Sequence, residues 1–234
     1  MRAFEPKNDA ERFTEEIRKR SINYLVHFTP TVNFLGMCEQ RHVLSRQAIR
    51  DLQIDAPDLA MEDYIEFNDA SRIDNYRGHI NTSIMFPNHY LFARFRQKRD
   101  LVYLHWCVII IAPKYIYERG TLFSISNAAS SAARAKYPIS GKYDAFAGMF
   151  ADIVAFEAFN GPRSNNRHGL KPCYPTDAQA EVLVEIPIPL SDVQEVCFKD
   201  QEELSITAAA LRTQGVDPGL KCTVNPSMFG KNRE

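Results

Sequence analysis

Six polar side chains occupy positions where this sequence otherwise asks for apolar ones. Gln179 and Glu181 stand two apart at the entry to the run Val182-Leu183-Val184-Glu185-Ile186, which Pro187 and Pro189 close. Strand alternation puts both side chains on one face, with Leu183 continuing it and Ala180, Val182 and Val184 on the other. His27 and Thr29 share a face of an aromatic and branched stretch stopped by Pro30, and Asn81 and Ser83 share one in the run that ends at Pro87. A carboxylate at the mouth of a buried strand is costly unless it is solvated, paired or used. A single strand-end glutamate is often merely solvated, and a single strand histidine is often structural, so the three pairs carry weight together. Their chemistry is that of hydrogen bonding and charge stabilisation, with an imidazole that can stay neutral at physiological pH.

Several chemistries have no support. There is no G-x-G-x-x-G after a strand, no G-x-x-x-x-G-K-[ST], no G-x-S-x-G and no H-E-x-x-H. The five cysteines (Cys38, Cys107, Cys173, Cys197 and Cys222) are far apart, with no C-x-x-C. They suggest neither a zinc site nor a disulfide framework, and suit a reducing cytoplasm. With 234 residues, 45% apolar and 24% charged, the composition is that of an ordinary globular domain with a sizeable core. A net charge of −1 announces no nucleic-acid partner, so any such surface must be local. Residues 1–20 alternate charges without an apolar core, unlike a signal peptide, and the longest apolar run, 106–113, is too short to span a bilayer. The expectation is a cytoplasmic protein with no membrane association.

The elements that must position these residues follow from periodicity. Asn8 is placed to cap a helix over 9–20, with a thin apolar stripe of Ala10, Phe13 and Ile17. Residues 22–29 read as a strand, 32–40 as a short helix, and Arg46 follows just beyond. Residues 50–80 read as an irregular acidic connection, with Asp51, Asp55, Asp58, Asp63, Asp69 and Asp74. A strand over 79–86, a helix over 89–98 and a buried strand over 101–112 come next. Residues 122–135 are ambiguous, 144–159 read as a helix, and 161–176 as a basic loop leading to Glu181. A strand over 193–198, a helix over 202–214 and a loosely held tail from 215 complete one domain over 1–234, with its N-terminal helix inside 1–21. Strands and helices at irregular intervals favour a mixed α+β fold.

The motifs Leu25-Val26-His27-Phe28-Thr29 with Asn33-Phe34, Asn81-Thr82-Ser83-Ile84 with Pro87-Asn88, and Gln179-Ala180-Glu181-Val182-Leu183-Val184 resemble the DarT family, in the same order and across about residues 22–200. The resemblance implies a toxin that ADP-ribosylates a base of single-stranded DNA using NAD. It implies an ADP-ribosyltransferase-like split β-sandwich of two mainly antiparallel sheets with flanking helices, NAD lying in the cleft between them. Carried onto this sequence, it gives Glu181 and Arg46 catalytic roles and places His27 and Thr29 on the NAD. Asn33, Asn81 and Ser83 belong to the same motifs and are candidate NAD contacts. It also implies a macrodomain-containing antitoxin as partner, and no metal. The family's second strand is usually tyrosine-rich; here it reads Asn81-Thr82-Ser83-Ile84-Met85-Phe86, which leaves the modified base open between guanine and thymine.

The implied chemistry suits the residue types. Breaking the nicotinamide–ribose bond builds an oxocarbenium-like sugar, which a fixed carboxylate stabilises more in the transition state than in the ground state. A neutral His27 can donate to a ribose hydroxyl without adding positive charge. Arg163, Arg167, His168 and Lys171 are the candidate DNA contacts, because their loop runs into Glu181. Arg94, Arg96, Lys98 and Arg99 beside Tyr90, Phe92 and Phe95 could also grip and stack on a strand, or could simply be the wet face of a helix. Transfer to RNA or protein, or a degenerate chain that only binds NAD or nucleic acid, are the alternatives.

Overall fold

The computed structural model describes residues 2–55, 76–99, 101–231 and 233. In chain order the elements are α1 (Ala10–Arg20), β1 (Leu25–Pro30), α2 (Thr31–Gln40), β2 (His42–Val43), α3 (Arg46–Asp55), β3 (Ile80–Ile84), α4 (His89–Arg96), β4 (Trp106–Ile111), β5 (Leu122–Ser124), α5 (Ser131–Lys136) and α6 (Tyr143–Gly148). They continue with β6 (Ile153–Ala158), β7 (Gly161–Asn166), β8 (Glu181–Val184), β9 (Ile188–Pro189), β10 (Val193–Phe198), α7 (Gln201–Thr213) and β11 (Cys222–Val224).

Seven strands form one sheet in the order β11-β10-β4-β1-β3-β8-β5. Neighbours in it are antiparallel except β10 and β11, so the α+β class with mainly antiparallel pairing is as expected. Instead of two separate sheets, two half-sheets are joined at a seam. β1 pairs with β4 along all six residues, from Leu25↔Ile111 to Pro30↔Trp106. It pairs with β3 only at Leu25↔Ile84 and Val26↔Ser83. Beyond that point β3 pairs with β8, from Thr82↔Val182 to Ile80↔Val184.

All six residues of β4 are buried, because both faces of this interior strand are covered. Phe13 of α1 packs on Phe123 of β5 and Phe146 of α6, with ring centroids 5.7 and 5.4 Å apart, so the first helix is anchored by one aromatic despite its thin stripe.

The structure departs from the sequence reading in several places. α1 starts behind Asp9 rather than Asn8, and no side chain caps it. The first part of the acidic connection is helix α3; Asp58, Asp63, Asp69 and Asp74 lie outside the described residues. The strand expected over 101–112 is only Trp106–Ile111. The helix expected over 144–159 ends at Gly148, and β6 begins at Ile153. Phe146, Met149 and Phe150 are buried from one helical turn and the turn after it, which imitates a longer helical period. The first third of the basic loop is β7, a hairpin partner of β6 in which Ala158 faces Gly161 across the two residues Phe159 and Asn160. Gly161 takes φ +106°, a value that glycine adopts without strain. The tail is held: β11 pairs in parallel with β10, and Met228 is buried.

Ile109 is fully buried and pairs with both His27 and Val196. Ile109→Ala should lower unfolding stability by about 2–5 kcal/mol, seen as a lower denaturation midpoint at an unchanged denaturant slope.

Candidate active site

The seam between β1 and β3 opens into a cleft of about 370 Å³, within the range of small-molecule sites. His27, Thr29, Asn33, Arg46, Asn81, Ser83 and Glu181 all line it, although they come from β1, α2, α3, β3 and β8. Where the β1–β3 ladder stops, a side chain takes over. His27 Nδ1–H donates to the Asn81 carbonyl oxygen at 2.8 Å. A carbonyl can only accept, so Nδ1 carries the proton in this contact, and a ring that is neutral has Nε2 as its acceptor. A neutral His27 would therefore meet a ribose hydroxyl through Nε2 as an acceptor, where a donor was expected.

Glu181 opens β8 opposite Ser124 and is only 6% exposed. Both carboxylate oxygens are met by N–H donors. The Asn81 side-chain amide Nδ2 donates to Oε2 at 2.8 Å, and the Ala128 backbone N–H donates to Oε1 at 3.2 Å. Such bonds offset the cost of taking a carboxylate out of water and fix its orientation. The approach to it is built by turn chemistry. Asp177 Oδ1 accepts the Gln179 N–H at 2.8 Å, and Asp177 Oδ2 accepts the Ser126 hydroxyl. Asn127 Oδ1 accepts the Ala129 N–H at 2.8 Å, while its Nδ2 donates to Gln179 Oε1 at 3.2 Å. These bonds tie the segment bearing Ala128 to the strand bearing Glu181. Asp177, Ser126 and Asn127 were not singled out from sequence; Asx-turn residues flanking the strand were the only signal.

Asn33 and Asn88 are buried and line the same cleft. Asn33 Oδ1 and Asn88 Nδ2 have no hydrogen-bond partner among the described residues. Asn88 Oδ1 accepts the Leu91 N–H at 3.2 Å and caps α4, which settles which end of its amide is the donor. The cleft therefore offers one buried acceptor and one buried donor to a ligand that carries the converse pair. Asn88 had no assigned role from the sequence. Arg46 begins α3, whose first turn is tied by the Ala48 N–H donating to Ser45 Oγ at 3.2 Å. Arg94, Phe95 and Lys98 of the α4 segment also line the cleft, whereas Phe92 is buried on the other side of the helix.

The basic segment before Glu181 does not line the cleft. Arg163, His168 and Lys171 are exposed. Arg167 is turned inward: it donates to the carbonyls of Tyr174 at 2.7 Å, Pro172 at 2.7 Å and Lys171 at 3.0 Å, and lies over the Phe150 ring. Its guanidinium shapes the loop. The thiols offer no nucleophile, since burial pushes Cys38 up to about 12 and Cys197 up to about 11, and Cys107 well above the ordinary range.

The His27–Asn81 contact makes a spectroscopic expectation. Nitrogen NMR of His27 should show a protonated Nδ1 and an unprotonated Nε2 at about neutral pH. Asn81→Ala keeps the carbonyl and should leave that tautomer unchanged while removing one N–H donor from Glu181.

The family model for DarT, described as ssDNA thymidine ADP-ribosyltransferase, matches residues 26–230. No curated protein sequence matches this chain at a significant level. Among solved structures, Thermus sp. 2.9 DarT in complex with ADP-ribosylated ssDNA is similar with a TM-score of 0.55 and 9% identity, over 90% of this chain and 97% of that one. The same protein in complex with NAD+ gives 0.51 and 8%, over 89% and 98%. Thermosipho africanus DarTG in complex with ADP-ribose gives 0.50 and 14%, over 88% of this chain and 51% of that one. At these identities the likeness is one of fold, and the family rests on the sequence match across most of the chain. The chain belongs to the DarT family of NAD-dependent ssDNA ADP-ribosyltransferases.

Proposed function

We propose that the cleft at the β1–β3 seam binds NAD and transfers its ADP-ribose to a base, thymine or guanine, of single-stranded DNA. The observation that carries this reading is the Glu181 carboxylate, buried and held by two N–H donors in the same cleft as His27. The two Thermus complexes, one with NAD+ and one with ADP-ribosylated ssDNA, support it. The cleft fits the substrate, because an orphaned buried acceptor and donor line it and NAD carries both kinds of group.

In the reaction the C1′–nitrogen bond to nicotinamide breaks, its electron pair stays on the leaving ring, and a bond from C1′ to a base nitrogen or oxygen forms. The proton displaced from the base goes to Glu181. Before that, the carboxylate stabilises the cationic sugar, and its two fixed donors keep it from swinging away. His27 Nε2 accepts from a ribose hydroxyl, with Thr29, Asn33 and Ser83 as further contacts to the substrate. Arg46 assists the incoming base. Arg163, His168 and Lys171 hold the DNA backbone, and Arg167 builds the loop that presents them. A single strand is the natural substrate because pairing hides the Watson–Crick edge.

This activity would block replication and make the chain a cytoplasmic toxin, paired with a macrodomain antitoxin that removes the mark. The likeness to DarTG supports a paired partner. Among the described residues no helix is long and apolar enough to cross a membrane.

Labelled NAD offered to thymine-only and guanine-only oligonucleotides, RNA and protein tests the reading. DNA should be labelled, and Glu181→Gln should cut the rate at least about 10²-fold with NAD affinity changed little. Label on RNA or protein alone would replace this reading with another acceptor. Arg163→Ala/Lys171→Ala should weaken oligonucleotide binding and lower its salt slope by about one unit for each phosphate no longer gripped. NAD hydrolysis without DNA should be unaffected. An unchanged slope would remove this loop from the DNA site.

A further inference from the structure

A second cavity, of about 380 Å³, shares no residue with the cleft. It lies across α4: Leu91, Arg94 and Phe95 line the cleft, while Phe92, Ala93 and Arg96 line this cavity. Its other walls come from Trp106 at the start of β4, Lys199 and Glu203 around the start of α7, and Phe229 and Lys231 of the C-terminal segment.

Four buried side-chain polar atoms have no partner among the described residues. Two of them, on Asn33 and Asn88, belong to residues lining the cleft. The other two, His89 Nδ1 and Trp106 Nε1, belong to residues lining the second cavity. Trp106 is 2% exposed, so its indole N–H is cut off from bulk water, and a donor in that position calls for an acceptor. The charge around it is positive. Arg96, Lys199 and Lys231 face one carboxylate, Glu203. That carboxylate is already engaged, its Oε2 accepting the Lys199 N–H at 3.3 Å and its Oε1 lying 3.5 Å from His105 Nδ1. Arg96 is a wall of the cavity, donating to the Phe229 carbonyl at 2.9 Å with its guanidinium over the Phe92 and Phe229 rings. Lys199 Nζ pairs loosely with Asp200, at 3.6 Å on the surface. Burial, with Arg233 and Lys231 nearby, lowers the proton affinity of His89, as expected where the local field already repels cations.

We propose that this cavity is a phosphate site, in which Trp106 Nε1–H donates to one phosphate oxygen and Lys199 and Lys231 neutralise its charge. Inorganic phosphate and a nucleic-acid backbone phosphate share this chemistry. The site is independent of the reaction assigned to the cleft, so it can stand or fall without it.

Trp106 is the one tryptophan of the chain, so its emission reports on the site directly. The intact protein is titrated with inorganic phosphate and, separately, with a single-stranded oligonucleotide. A saturable change with phosphate alone assigns a free anion. A change at lower oligonucleotide concentration, reversed by phosphate, assigns the nucleic-acid backbone. In either case Lys199→Ala/Lys231→Ala should raise the midpoint at least about tenfold while NAD hydrolysis is unchanged. Calorimetry on Trp106→Phe, which keeps a ring and removes the donor, should show phosphate or oligonucleotide affinity about tenfold weaker. No saturable change with either probe, an unchanged midpoint in the double variant, or full affinity in Trp106→Phe overturns the proposal.

Discussion

Asn81 uses its two ends differently, and the cleft at the β1–β3 seam depends on both. Its backbone carbonyl accepts the proton on His27 Nδ1, and its side-chain amide donates to Glu181. One residue of β3 thereby sets the tautomer of the histidine on one neighbouring strand and the orientation of the carboxylate on the other. This works because β3 is paired to β8 through Thr82, Asn81 and Ile80 but has let go of β1 after Ser83. A ladder that continued to Pro30 would place backbone amides where the cleft now lies. A seam with no pairing would leave nothing to relate the two half-sheets. Two residue pairs followed by a side-chain bond satisfy both demands.

Several buried polar groups surround that seam, and each would cost about 1–3 kcal/mol if left without a partner. Most have one. Glu181 has two N–H donors, and the Thr82 hydroxyl donates to the Val182 carbonyl at 2.8 Å. Asp177 is met by the Ser126 hydroxyl and the Gln179 N–H. The exceptions in the cleft, on Asn33 and Asn88, are thus informative rather than accidental. A scaffold that satisfies its structural polar groups and leaves a donor and an acceptor beside its carboxylate is preorganised for a polar ligand.

The segment between β5 and β8 shows how a site can be supported from outside it. The β6–β7 hairpin and the turn after it carry the exposed basic residues, and Arg167 is spent on carbonyls that keep the turn in shape. A guanidinium with five donors suits that task better than any other side chain. The same type of residue that reads from sequence as a DNA contact therefore acts here as internal scaffolding.

Much of the site was legible in the sequence. Polar residues at period two inside branched runs that end in proline marked β1, β3 and β8, and Glu181, His27, Thr29, Asn81 and Ser83 do meet at one cleft. Strand alternation is local physics, so sequence determines which side chains share a face. α4 and α7 were legible for the same reason, through local composition and spacing, while their capping residues Asn88 and Asp200 were recognised only in the structure. What only the tertiary structure decided is everything that depends on partners distant in sequence. The direction of the His27 hydrogen bond rests on a carbonyl 54 residues away. The second donor to Glu181 is a backbone N–H 53 residues away, where an alanine has no side chain to announce it. Met149 and Phe150 imitated helical period because the core collects apolar residues from turns as readily as from helices. The tail joined β10 through backbone hydrogen bonds, which any sequence without proline can make and which therefore leave little trace in composition.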